Sequence, residues 1–248
     1  LTLPIRGVNG VVPNSTNVTG VMVNVTAANN QPGSAATFLA VTPNATPPGV
    51  EPATSVTNVS VGQVKANMAI VPVGDDGAIR IFNRSGSTHV IVDVLGYLER
   101  GAPDTTRAGR VIPLEAPFRV FDTRQPAFGA APLGFATKED WSFKAFADSV
   151  LLDNAPIGAQ SALLGNLTGT GLEPLYPGQP ATTFMTLYPG NGAPPNSSNI
   201  NVTPGRSVPN MSLLSYGTVG DDPYTIAAYN FDGSIHYLLD VYAVVLKD

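Results

Sequence analysis

An internal duplication constrains the fold of this chain more than any other feature. The segment FNRSGSTHVIVDVLGYL, which begins at residue 82, returns as YNFDGSIHYLLDVYAVV from residue 229. This alignment pairs His89 with His236 and Asp93 with Asp240. Three earlier segments return in the same order about 145 residues later: VMVNVTA as ALLGNLTG, ATFLAVTP as TTFMTLYP, and VTNVSVGQVKANM as SNINVTPGRSVPNM. A unit of roughly 100 residues, the size of a domain, therefore occurs twice.

The repeat sets the expected domain boundaries. Residues 1–98 hold the first copy and residues 118–248 the second. The stretch between them, ERGAPDTTRAGRVIPLEAP at 99–117, is rich in Pro, Gly and Arg and shows no periodicity. These features are typical of a linker.

Short alternating or apolar segments bounded by Gly, Pro, Asp or Asn indicate β-strands throughout. In TGVMVNVTA the alternation places Val21, Val23 and Val25 on one face. Residues 141–156 could contain one helical turn, although their pattern favours a strand. The sequence therefore predicts an all-β protein made of two tandem antiparallel β-sandwiches of jelly-roll or related topology.

Composition excludes several classes of function. Only 12% of residues are charged and the net charge is −5, so the chain lacks the basic surface that nucleic-acid binding requires. It has no cysteine, which excludes disulfides, thiol nucleophiles and cysteine-based zinc sites. No apolar run is long enough for a membrane span, and no cofactor fingerprint is found, so we expect neither membrane insertion nor a cofactor.

The two histidines precede Asp93 and Asp240 by four residues each. On a strand that spacing puts His and Asp on one face but about 13 Å apart, too far for the direct contact of a catalytic pair. No serine lies in a nucleophile-elbow context. We therefore expect a protein that is not an enzyme, in which Asp93 and Asp240 accept hydrogen bonds from backbone or arginine within the sandwich.

The motifs FRVFDTR (118–124), GNLTG, TFMTLYP, SNINVTPGRSVPNM and YNFDGSIHYLLDVYAVV resemble, in that order, a repeat of actinobacterial secreted and cell-surface proteins. Similar repeats occur in structural proteins of actinobacteriophages, including minor tail-like proteins. The first copy ends IVDVLGYL, which matches the repeat's Asp-Val-x-Gly-Tyr close, but it lacks the Asp-Thr-Arg opening, because LTLPIRG starts partway into a unit. We therefore expect either a truncated chain or a strand supplied from elsewhere.

Within FDTR, Asp122 and Arg124 are two residues apart and so share a strand face. Paired with each other or with Asp240, they are predicted to form a buried ionic latch between the first and last strands of the unit. Asp93 is the equivalent acid of the first copy.

Two sets of polar residues have more than one interpretation. Asp75-Asp76-Gly77 and Asp221-Asp222-Pro223 could begin a calcium site, but they favour turns. Asn24, Asn58, Asn166 and Asn201 lie in glycosylation sequons that belong to the repeat itself, and hydrogen-bonding ladders are an alternative use.

Five aromatic residues of the second copy fall in or near predicted loops, where sugar-binding modules place stacking rings: Trp141, Tyr176, Tyr188, Tyr216 and Tyr224. Packing at the core or rim is the alternative.

Together these features predict a non-enzymatic structural or adhesive module, extracellular, on a virion (tail or head decoration) or an actinobacterial cell surface. Its expected partners are other structural proteins or itself, as an oligomer. The alternative is a carbohydrate-binding module that recognises cell-envelope glycan. A third interpretation is the non-catalytic domain of a secreted cell-wall hydrolase.

Overall fold

The computed structural model describes residues 1–101, 108–149, 160–178 and 182–247. Their regular structure is almost entirely antiparallel β, which confirms the predicted all-β sandwich class. The chain divides into two compact units, Leu1–Asp104 and Thr105–Asp248.

The first unit contains two antiparallel sheets. One has the strand order β1-β6-β3-β4 and the other the order β5-β2-β7. The strands are β1 (Thr2–Pro4), β2 (Val18–Ala28), β3 (Thr37–Thr42), β4 (Thr57–Val59), β5 (Val64–Pro72), β6 (Ala78–Asn83) and β7 (His89–Glu99).

The second unit also has two sheets. One has the order β13-β10-β16-β8, and in the other β12 pairs with β11 and β11 with β15, which also pairs with β9 and β14. The elements are β8 (Val111–Asp122), β9 (Thr137–Ser142), α1 (Lys144–Ser149), β10 (Gln160–Glu173), β11 (Thr183–Pro189), β12 (Ile200–Val202), β13 (Val208–Ser215), β14 (Gly217–Val219), β15 (Asp222–Asn230) and β16 (Ser234–Leu246).

Strand pairing repeats between the units residue by residue. Asn24 lies opposite Asp93 across β2 and β7, and Asn166 lies opposite Asp240 across β10 and β16. On the other side of the same strands, each asparagine faces a methionine. Each pairing also contains a bulge just after the aspartate. The duplication seen in the sequence is therefore a duplication of register as well as of residues.

Each unit buries its core between its two sheets. Val21, Val23 and Val25 are fully buried, as their alternation on β2 predicts, and they pack against residues of β3 and β6. In the second unit Leu163 and Leu167 of β10 take the same place. The alternation thus identifies the face of β2 that contacts the core, although Met22, Asn24 and Thr26 on the opposite face are buried as well.

A threonine–asparagine pair braces the same corner of each unit. Thr37 donates to Asn83 Oδ1 at 2.7 Å, and Thr183 donates to Asn230 Oδ1 at 2.6 Å. Each asparagine Nδ2 then donates, at 2.8 and 3.0 Å, to the carbonyl of a turn glycine. Both glycines have a positive φ, a conformation that favours glycine.

Further asparagines bridge strands and loops in both copies. Asn67 and Asn210 donate to backbone carbonyls at 2.6 and 2.7 Å. Asn58 and Asn201 donate to serine hydroxyls three residues earlier, at 3.0 and 3.2 Å. The shared asparagines that these bonds involve are parts of the scaffold.

The two aspartate pairs lie in turns. Asp76 Oδ1 and Asp222 Oδ1 each accept a hydrogen bond from the backbone N–H two residues later, at 3.2 and 2.8 Å. Asp76 also forms an ion pair with Arg80. These bonds are those of ordinary Asx-type turns.

The structure corrects the predicted linker. Residues 111–117, expected to lie outside both domains, form the first half of β8. Pro113 and Pro117 hide the strand pattern in the sequence. An edge strand tolerates proline because one of its two sides needs no ladder hydrogen bonds.

The predicted preference for strand within 141–156 is wrong for residues 144–149, which form α1. Phe143, Phe146 and Ala147 are buried at helical spacing, and Ala147 N–H donates to the Phe143 carbonyl at 2.8 Å. One and a half turns are too few for the helical period to stand out in the sequence. The rest of that segment, from residue 150, lies outside the described residues. No helix among the described residues is long and apolar enough to cross a membrane.

Candidate functional site

A cluster of two arginines and two aspartates joins the first and last strands of the second unit. Arg119 on β8 places Nε and Nη2 2.8 and 2.9 Å from the two carboxylate oxygens of Asp240 on β16. Arg124, just after β8, binds both oxygens of Asp122 at 2.8 Å. Arg119 Nη1 also lies 3.5 Å from Asp122 Oδ2. These four residues form the ion-pair cluster.

Asp122 is the buried centre of the ion-pair cluster, with a side chain that is 0% exposed. Its carboxylate also accepts the Arg124 backbone N–H at 3.1 Å and the Gln125 side-chain amide at 3.3 Å. The hydrogen bonds from the Arg124 side chain hold the pKa of Asp122 far below its usual range, although burial acts in the opposite direction. Asp122 is therefore ionised whenever the unit is folded near neutral pH.

The predicted ionic latch has a different connection from the one that the sequence suggested most directly. Asp122 and Arg124 pair with each other within one segment, and the bond across the strands to Asp240 comes from Arg119. Sequence reasoning missed Arg119. On a regular strand, residues 119 and 122 would face opposite sides, but the register of β8 against β16 skips Val120. This β-bulge brings both side chains to one face.

The first unit contains the aspartate of this arrangement without the arginine. Asp93 lies on β7 opposite Asn24, as Asp240 lies opposite Asn166. Its Oδ2 atom is buried and has no hydrogen-bond partner. Burial raises the pKa of Asp93, and a hydrogen bond with Asn24 lowers it by less. Within residues 1–101, no ion pair involves Asp93.

The two histidines have different surroundings. His236 Nδ1 lies 3.0 Å from the Thr123 hydroxyl, which also contacts the backbone of Tyr237. His236 therefore helps to hold the end of the Asp-Thr-Arg segment against β16. His89 is exposed at the start of β7. Neither has an Asp or Glu partner among the ion pairs of the described residues.

Three of the five predicted sugar-contacting aromatics are packed within the second unit. Tyr224 is buried in its core, and Tyr216 packs against Tyr224 and Phe143. Tyr188 is buried outside that core cluster, with Lys138 Nζ 5.8 Å from the centroid of its ring. Burial raises the pKa of Tyr188 and, more strongly, that of Tyr216. Their ring faces are occupied by protein, so the packing alternative describes them and a sugar platform does not.

The other two predicted aromatics differ in exposure. Trp141 is half-buried, donates its indole N–H to the Tyr237 hydroxyl at 2.7 Å, and packs edge-on to Phe121 with ring centroids 4.0 Å apart. Tyr176 is 65% exposed and has Leu175 beside it, also exposed. Of the five, only Tyr176 presents a free ring.

An aromatic cleft opens beside β8, β9 and α1, with a volume of about 420 Å³. Apart from Ser142, its walls are apolar, so it suits an apolar side chain better than a sugar, which needs several polar partners. The lining residues that contribute rings are Phe118, Phe121, Phe128, Trp141, Phe143 and Phe146.

No protein-family model matches this sequence, and no curated protein matches it significantly. Within the described ranges, no three His, Asp or Glu side chains converge into a group that could hold a metal ion. The chemistry that the geometry offers is therefore that of the ion-pair cluster, of Asp93, which has no ion-pair partner among the described residues, and of the apolar cleft. All three are suited to packing and association.

Proposed function

We propose that this chain is a non-enzymatic structural or adhesive module, displayed on the outside of an actinobacterial cell or an actinophage virion. The observation that carries the proposal is how the polar residues shared by the two copies are used. The threonine–asparagine braces and the bridging asparagines are engaged in internal hydrogen bonds. A catalytic site would instead direct such groups together into one cleft.

The resemblance of the repeat motifs supports the extracellular placement. Low charge and a duplicated, heavily braced sandwich suit a rigid display element whose ligands are other structural proteins or further copies of itself. Such modules commonly assemble with closed symmetry, so the proposal includes an oligomer on the surface that carries it.

Carbohydrate binding is the second candidate, and the exposed ring of Tyr176 is the observation that favours it. A solvent-facing tyrosine beside an apolar neighbour can stack on a pyranose ring. The burial of Tyr188, Tyr216 and Tyr224 leaves this proposed contact with one ring instead of a platform.

Binding to intact actinobacterial cell envelopes tests the proposal, with and without competing envelope polysaccharide. Saturable binding, or assembly of the purified protein into a defined oligomer, is the expected result. Loss of envelope binding in Tyr176→Ala, together with competition by polysaccharide, would support the glycan candidate; Tyr242→Ala, at another exposed tyrosine, is the matched control. Release of soluble fragments from the envelopes would contradict a non-enzymatic role.

A further inference from the structure

The second unit has two strands without a counterpart in the first, β8 and β14, and β8 lies at the edge that matters here. In the second unit β16 lies between β10 and β8, whereas in the first unit β7 pairs with β2 on one side only. Among the described residues no strand pairs with the other side of β7. Its outward N–H and C=O groups therefore form an open sheet edge, which is a template for an additional strand.

The core of the first unit is open along this edge. Val94 and Tyr97 of β7 are 38% and 40% exposed, although they pair with the core-facing Val23 and Val21. The residues at the same positions of β16, Val241 and Val244, are 0% exposed. Four apolar side chains of β8 make the difference by packing against the core of the second unit: Ile112, Leu114, Val120 and Phe121.

The charges along this edge also differ between the units. Asp240 accepts hydrogen bonds from Nε and Nη2 of Arg119, which lies on β8. Asp93, in the same register, has a buried Oδ2 atom without a partner among the described residues. Burial raises its pKa more than the hydrogen bond with Asn24 lowers it. A half-buried carboxylate at a sheet edge is stabilised by a donor that arrives with the next strand.

We propose that the free edge of β7 accepts an antiparallel strand from another polypeptide, which places an arginine on Asp93 and an apolar side chain beside Val92 and Val94. The register of β8 on β16 indicates what the added strand should look like: an extended segment similar to Phe118–Asp122, with the arginine between apolar residues. This is strand addition, in which backbone bonds give affinity and alternate side chains give specificity. The inference rests on the proposed structural role and names the chemistry of the partner.

A second copy of this chain is a poorer occupant. Pairing of β7 with β7 of another copy brings a second aspartate and no arginine from within the strand, because the nearest one, Arg100, follows its last residue. Insertion of β8 from another copy would expose the core that β8 covers in its own unit, so the number of open edges would stay the same. A separate arginine-bearing strand satisfies the edge without opening another.

A labelled peptide with the sequence of residues 111–124, titrated into the full chain, tests the proposal by fluorescence anisotropy. We expect saturable binding at one site per chain. A peptide with glutamate at the position of Arg119 should bind at least tenfold more weakly, because it sets two carboxylates together. Asp93→Asn in the protein should weaken binding of the original peptide by a similar factor.

Asp240→Asn is the matched control, since it alters the same position in the other unit and should leave peptide binding unchanged. Circular dichroism establishes that each variant is folded, and Trp141 fluorescence adds a check on the second unit, which contains Asp240. The inference would be overturned if the peptide did not bind, if it bound Asp93→Asn as tightly as the original protein, or if only Asp240→Asn weakened its binding. A dimer held together by β7 that excludes the peptide would overturn it too. Envelope adhesion without peptide binding would overturn the inference and leave the proposed function standing. Peptide binding without envelope adhesion would reject only the adhesive role and leave the inference standing.

Discussion

Removal of the Arg124 side chain should destabilise the second unit by about 2 kcal/mol. Arg124→Ala deletes two charge-assisted hydrogen bonds of 2.8 Å to Asp122, whose side chain is 0% exposed. Breaking a fully buried ion pair costs roughly 3–5 kcal/mol. Because the Arg124 side chain is 47% exposed, solvent already screens the pair, and Arg119 still lies 3.5 Å from Asp122. The expected loss, about 2 kcal/mol, is therefore below that range. This corresponds to a fall in Tm of roughly 4–8 °C.

Trp141 is the chain's only tryptophan, so its fluorescence reports unfolding of the second unit alone. It packs on Phe121, the residue before Asp122. The urea midpoint should fall in Arg124→Ala while the slope of the transition stays unchanged. Arg206→Ala, at an exposed arginine of the same unit, should change stability by less than about 0.5 kcal/mol. A shift in Arg124→Ala no larger than that of the control would refute the reasoning about the ion-pair cluster.

Three further predictions concern stability. The pKa of Asp122 is lower in the folded state than in the unfolded state. Its contribution to the stability of the second unit is therefore present above about pH 4 and is lost as the pH falls toward the folded pKa. In Asp122→Asn the urea midpoint should depend less on pH in that range. Asn230→Ala removes the hydrogen bond that Oδ1 accepts from Thr183, and the two N–H donors of Nδ2 that lie within reach of three backbone carbonyls. In this buried site the change should cost about 3 kcal/mol, measured by Trp141 fluorescence, against about 1 kcal/mol for the partly exposed Asn83→Ala in thermal melts of the first unit. Gly233→Ala would place its Cβ too close to the Glu173 carbonyl oxygen. Gly220 also has a positive φ but open space around it, so Gly233→Ala should cost at least ~2 kcal/mol more than Gly220→Ala. Equal urea midpoints for the two variants would contradict the close approach of Gly233 to Glu173.

Alternation and duplication together predict most of the fold. The alternation of Val21, Val23 and Val25 identifies the core-facing side of β2, and the aligned repeats predict that the two units share equivalent registers. The first half of β8 escapes this reasoning because prolines interrupt its pattern. Propensity describes what a segment does by itself, and β8 is held by pairing with β16, which is distant in the sequence.

The ion-pair cluster was predictable in part. Asp122 and Arg124 are two residues apart, which is enough to predict that they share a face. Arg119 was missed because a β-bulge moves it to that face, and bulges leave no clear signal in a single sequence. Tyr188 and Tyr224 looked like loop aromatics because strand ends and loops share their flanking residues, and burial depends on how the two sheets close.

Hydrogen–deuterium exchange of backbone amides, compared between β7 and β16, tests most directly the central claim that β7 lacks the partner strand that β8 provides for β16. At concentrations where the chain is monomeric, the outward amides of β7 should exchange as rapidly as exposed loop amides, while amides of β16 are protected on both sides by β10 and β8. Addition of the 111–124 peptide should slow exchange in β7 alone. Equal protection of β7 and β16 in the isolated protein would show that the edge is already covered and would contradict the account.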